Sequence, residues 1–120
     1  MEHALSAYYD VTHGVGLAIL TPAWMEYILD DSTVQMFADY GWNVWQLDRS
    51  ADAMTTAKAA IAKTREFFIS LGIPATLREL HIPEDMLETM AKSAPKDGDT
   101  IHGVKPLTWQ DVLAIYKLAY

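Results

Sequence analysis

The sequence predicts an all-α domain. Apolar residues recur three and four positions apart over long stretches, and capping residues stand where those stretches start and stop. No run of alternating β-branched residues is long enough to found a sheet. About six helices are expected over residues 1–120, with no linker dividing them into two domains.

The elements follow in order. Residues 1–10 are helix-like and amphipathic from the start. In the stretch from His13 to Trp24, Gly14 and Gly16 let the backbone approach a neighbouring helix or a ligand, and Pro22 suits either a new helix start or a kink. Ser32 is placed to cap a helix running to about Trp45, with Phe37, Tyr40 and Val44 inward. Gly41 inside it costs about 1 kcal/mol relative to Ala, which a close packing contact would explain. The clearest helix covers Ala51 to Leu71, where Met54, Ala57, Ile61, Thr64, Phe68 and Leu71 form one stripe. Ser50 or Asp48 can cap its start, Gly72 can stop it, and Pro74 prevents continuation. Pro83, with Glu84 and Asp85 behind it, opens a short helix that buries Met86, Leu87 and Met90. Pro95 to Pro106, containing Gly98 and Gly103, reads as a loop. Thr108 and Asp111 approximate a capping box for a last helix to Ala119, with Trp109, Val112, Leu113, Tyr116 and Ala119 as its apolar stripe.

Composition sets the bounds. A chain of 120 residues with 51% hydrophobic and 21% charged residues can pack a core, which excludes disorder as its main state. Nine basic against sixteen acidic residues give a net charge of −7, without any cluster of Lys or Arg. Nucleic acid and anionic membrane, which need a concentrated positive face, are therefore not expected partners. The longest apolar run, Val15 to Leu20, is far short of the roughly 20 residues that cross a bilayer, and no basic segment with a cleavage site precedes it. The absence of cysteine excludes disulfides and thiolate metal sites, and is compatible with the cytoplasm. The Asp30-Asp31 and Asp97-Gly98-Asp99 acids read as solvated turn residues without the ligand pattern of a calcium loop.

Four histidines carry the chemistry worth weighing. His81 and His102 read as ordinary surface or core residues. His3 and His13, ten residues apart, would be separated on a continuous helix by about 15 Å of rise and roughly 80° of rotation. Two nitrogens so placed cannot share an ion whose ligands lie about 2.0–2.1 Å away. A break near Thr12 to Gly14 would bring them closer, yet at most one of the pair is expected to ligate a given ion. Asp10 could orient His13, although a solvated acid at a helix end is the simpler reading. Trp24, Tyr27, Trp42, Trp45 and Trp109 lie at helical spacing and read mostly as core.

The pattern HxLSAxYDxxHGxGLAI, which begins at His3 and runs on through Thr21, Pro22 and Trp24, closely resembles the iron-dependent alcohol dehydrogenases, specifically their butanol-dehydrogenase-like branch. Thr64 to Phe68, Leu71 to Pro74 and the closing Asp111 to Tyr116 extend the resemblance over essentially the whole chain. It implies the helical bundle of the C-terminal domain in the dehydroquinate synthase-like and iron alcohol dehydrogenase fold. It also implies reversible hydride transfer between NAD(P)H and an aldehyde or primary alcohol, with Fe2+ or Zn2+ polarising the oxygen.

Family members carry an N-terminal NAD(P)-binding α/β domain and hold their ion with one Asp and three His. The last of those ligands corresponds to His13, and the other three fall before Met1. His3 corresponds to a histidine near the nicotinamide and substrate, with a role in proton transfer or cofactor contact. Gly14-Val15-Gly16 lacks both the spacing and the preceding strand of a dinucleotide loop. By this resemblance the chain is the C-terminal helical portion of such an enzyme, inactive alone and binding no cofactor tightly. A non-catalytic helical interaction module and one half of a split enzyme stay open as alternatives. Tyr8, Leu17, Leu20 and Trp24 would face the upstream part or a second copy, so self-association through residues 1–30 is expected.

Overall fold

The structure, a computed structural model, describes residues 1–95 and 100–120. Its first helix, α1 (Glu2–Tyr9), ends at Asp10, which takes a left-handed conformation with φ 50° and returns its N–H to the Ser6 carbonyl. Aspartate tolerates this region better than most residues, and helix propagation stops there. After Val11 and Thr12 the chain reverses into α2 (His13–Ile28), which packs back against α1.

Pro22 neither starts a helix nor ends one; it lies inside α2 with its ring buried. The turn after α2 is knotted by side chains. The buried Thr33 hydroxyl donates to the Ile28 carbonyl at 2.8 Å and accepts the Asp30 N–H at 3.0 Å. Ser32, expected as a cap, instead gives its N–H and hydroxyl to Asp30 Oδ1 at 2.8 and 2.6 Å.

Helix α3 (Val34–Asn43) lies against α4 (Ala53–Ser70). Gly41 faces that contact: a Cβ there would sit 3.0 Å from Thr56 Cγ2 and 3.1 Å from Ala60 Cβ. The expected close approach is therefore present. Phe37 is buried and Tyr40 half-buried, but Val44 is exposed because the helix ends one residue before it. The cap of α4 is Asp52, whose Oδ1 accepts the Thr55 N–H at 3.0 Å, rather than Ser50 or Asp48. Asp48 serves the preceding turn by accepting the Ser50 N–H. The buried face of α4 comprises Thr56, Ala57, Ala60, Ile61 and Thr64; Leu71, at the end of the expected stripe, is exposed just before Gly72 turns the chain at φ 81°.

Two 3-10 turns, Arg78–Leu80 and Glu84–Met86, lead into α5 (Leu87–Ser93). Pro83 sits just before the second turn, not at its first position. The expected loop at 95–106 contains half of a small antiparallel pair, β1 (Thr100–Ile101) with β2 (Leu107–Thr108), Ile101 facing Leu107. Strands of two residues leave no readable alternation. Asp97, Gly98 and Asp99 lie outside the described residues. The last helix, α6 (Trp109–Leu118), has the full capping box between Thr108 and Asp111.

Helix α2 touches α1, α4 and α6, while α5 packs on α1 and α6. Leu5, Leu20, Ile28, Leu77, Ile82, Leu87, Met90, Val112, Ile115 and Tyr116 fill the space between them. Tyr116 is wholly buried and donates its hydroxyl to the Met1 carbonyl at 2.7 Å. Burial, together with the negative Glu2, pushes its phenol well above the ordinary tyrosine range. The C-terminal helix thereby holds α1 in place, and α1 positions the site.

Candidate metal and substrate site

The break at Asp10 to Thr12 decides the geometry. Because α1 and α2 are separate helices packed on each other, the continuous-helix separation of His3 and His13 does not apply. Their rings stack with centroids 5.4 Å apart and planes 29° from parallel. Glu2, His3 and His13 each offer a ligand atom within 4.8 Å of the others. Glu2 begins α1, His3 follows it, and His13 begins α2.

The donors are not equivalent. Glu2 is 5% exposed, and its carboxylate accepts one hydrogen bond on each oxygen, from the Ser6 hydroxyl on Oε1 and from His13 Nδ1 on Oε2. His13 is more than half exposed, and with Nδ1 engaged its Nε2 is left for a ligand. An imidazole fixed through one nitrogen by a carboxylate is the usual form of a metal-ligating histidine. The donor set therefore fits a divalent ion at His13 Nε2. Glu2, buried and hydrogen-bonded through both oxygens, is placed to hold His13.

Beside these groups opens a cavity of about 380 Å³. Helix α2 contributes Leu17, Leu20, Thr21 and Trp24 to its wall, and the β1–β2 connection contributes His102, Gly103 and Lys105. Lys105 forms an ion pair with Asp30 at the end of α2, which ties this connection over the cavity. Leu20 reaches the wall but is nearly inaccessible, whereas Leu17 and Tyr8 are exposed and Trp24 half-buried.

Asp10, weighed as the orienting acid, is exposed at the end of α1, and Glu2 makes that contact instead. Gly14 and Gly16 differ. A Cβ at Gly14 would meet nothing within 4 Å, whereas one at Gly16 would lie 2.7 Å from Glu2 Oε1. Gly16 thus accommodates a carboxylate of its own chain. His81 is exposed away from the cavity; His102 lines it, which no sequence motif indicates. Of the aromatic set, Tyr27 is largely exposed and donates to Asp111 Oδ1 at 2.6 Å, while Trp42, Trp45 and Trp109 are half-buried.

The family model described as the C-terminal part of the Fe-containing alcohol dehydrogenase family matches residues 1–120. The chain belongs to the iron-containing alcohol dehydrogenases. It is 57% identical over 121 residues to NADH-dependent butanol dehydrogenase A of Clostridium acetobutylicum, covering 100% of this chain and 31% of that protein. The crystal structure of a 1,3-propanediol oxidoreductase superposes with a TM-score of 0.88 at 30% identity, over 99% of this chain and 31% of that one. NADH-dependent butanol dehydrogenase A of Thermotoga maritima superposes with a TM-score of 0.81 at 26% identity, over 98% and 31%. The chain thus spans about 31% of the length of the iron-containing alcohol dehydrogenases it matches, and corresponds to their C-terminal portion. Among the described residues, no helix is long and apolar enough to cross a membrane.

Proposed function

We propose that these 120 residues are the metal- and substrate-side portion of an iron-dependent alcohol dehydrogenase that interconverts an aldehyde and a primary alcohol. The observation that carries the reading is the convergence of Glu2, His3 and His13 on one wall of the cavity, in a chain of this family. His13 holds a divalent ion, Fe2+ or Zn2+, through Nε2. His3, stacked against it, contacts the nicotinamide and holds or moves a proton at its ring nitrogen. Leu17 and Trp24 form the apolar part of the cavity wall beside these groups. The ion, when bound, supplies Lewis-acid polarisation of the substrate oxygen, and NAD(P)H bound by the upstream part of the enzyme supplies the hydride.

The remaining ligands and the dinucleotide domain belong to that upstream part, so the 120-residue chain alone binds metal weakly and lacks dehydrogenase activity. One imidazole does not replace several ligands held in one geometry. The complete protein acts in the cytoplasm as a homo-oligomer.

The test is a chimera in which these residues replace the matching segment of the Clostridium acetobutylicum enzyme, assayed for NADH-dependent butyraldehyde reduction. Activity with bound metal supports the reading. A folded, metal-loaded chimera without activity, or tight stoichiometric metal on the 120-residue chain alone, contradicts it.

A further inference from the structure

A glutamate in the first turn of a helix is ordinarily a solvated acid favoured by the helix dipole. Glu2 is 5% exposed, and burying a carboxylate is costly unless its oxygens are paired. Both are paired, Oε1 with the Ser6 hydroxyl one turn along α1 and Oε2 with His13 Nδ1 across the α1–α2 break. A carboxylate offers only acceptors to His13, so Nδ1 carries a hydrogen, and in the neutral ring the lone pair falls on Nε2.

The neighbouring helix is shaped to admit it. Glycine inside a helix costs about 1 kcal/mol relative to alanine, and Gly16 is where that cost has a local reason. An added Cβ would meet Glu2 Oε1 at 2.7 Å and Cγ at 2.9 Å, whereas the same atom at Gly14 would meet nothing within 4 Å. One bare helix position and one buried carboxylate thus form a lock on a single imidazole.

We propose that Glu2 is the positioning residue for His13: it fixes the Nδ1–H tautomer and the ring orientation that present Nε2 to the cavity, and Gly16 is the vacant helix position that admits it. The proposal rests on the reading of His13 as a metal ligand, and its test is chosen to fail separately. The tautomer is read in the metal-free 120-residue chain by long-range 1H–15N correlation of the imidazoles, well above the ordinary imidazole pKa of about 6.5.

The unaltered chain gives the Nδ1-protonated pattern at His13. Glu2→Leu, which keeps bulk and removes the acceptor, shifts it to the Nε2-protonated or averaged pattern. Gly16→Ala does the same with the glutamate still present, and because alanine favours helix this variant guards against a folding failure at position 2. Gly14→Ala leaves the pattern unchanged. A role for Glu2 in packing alone would not move the tautomer.

In the chimera, Glu2→Leu and Gly16→Ala weaken metal binding roughly 10- to 100-fold. An Nε2-protonated His13 in the unaltered chain, or an unchanged pattern in both variants, overturns the proposal. Retention of metal by a His13→Ala chimera would instead refute the metal reading and leave the tautomer result standing.

Discussion

His3 and His13 have similar surroundings but are expected to fail differently. In the chimera, His13→Ala removes the proposed metal ligand, so metal content and turnover are expected to fall together. His3→Ala leaves the metal in place and lowers turnover or moves its pH dependence; elemental analysis beside rate measurements separates the two. Loss of metal in the His3 variant with retention in the His13 variant would reverse the assignment. Gly41 offers a test of packing alone. Gly41→Ala gains about 1 kcal/mol of helix propensity, but its Cβ would press on Thr56 and Ala60 at 3.0 and 3.1 Å, across backbones held by the α3–α4 contact. Overpacking of this kind costs about 1–3 kcal/mol, so urea denaturation is expected to show a net loss of stability. The sequence singled out both histidines as candidates and predicted the close contact at Gly41. It could not reveal Glu2 as the partner of His13, because that contact depends on a turn at Asp10 that leaves no periodic trace.

Helix ends were legible only where the capping chemistry is unambiguous. The Thr108–Asp111 capping box is local chemistry, and it forms as the spacing predicts. Thr108→Ala is expected to cost about 1 kcal/mol in denaturant unfolding. Asp111 also accepts the Tyr27 hydroxyl, and that bond, with Thr108 adding to it, holds its carboxyl below the ordinary range. A carboxyl depressed by folding contributes stability above its unfolded pKa of about 3.9 and loses it as pH falls through the folded value. Acid titration of unfolding is therefore expected to show a loss below about pH 4 that is shallower in Tyr27→Phe. A Tyr27→Phe variant with an unaltered acid limb would remove the hydrogen bond from this account. Ser50 and Ser32 do not cap because several Asp, Ser and Thr residues stand near each helix start, and Asp52 and Thr33 take the N-cap positions. The β1–β2 pair was missed because two-residue strands are too short to show alternation.

For the whole molecule, the all-α architecture follows from sequence because its periodic stretches are long and its core residues fall on them. The surface is less legible. Leu20, expected to face outward, packs inward, whereas Tyr8 and Leu17 remain 45% and 42% exposed. We propose that these two residues, with half-buried Trp24, meet the upstream part of the enzyme or a second copy of the chain. Sedimentation of the 120-residue chain is expected to show association that weakens in Leu17→Glu. A strict monomer at high concentration that binds no apolar dye would contradict this. The cavity itself was not legible, since its wall joins two helices to the β1–β2 connection far along the chain, tied down by Lys105 and Asp30. The most direct test of the central claim is a crystal structure of the chimera with anomalous diffraction at the iron edge. One peak is expected, bonded to His13 Nε2 at about 2.0–2.1 Å, with Glu2 on Nδ1 and His3 unligated. A peak bonded to His3 or Glu2, or an ion held without His13, would contradict it.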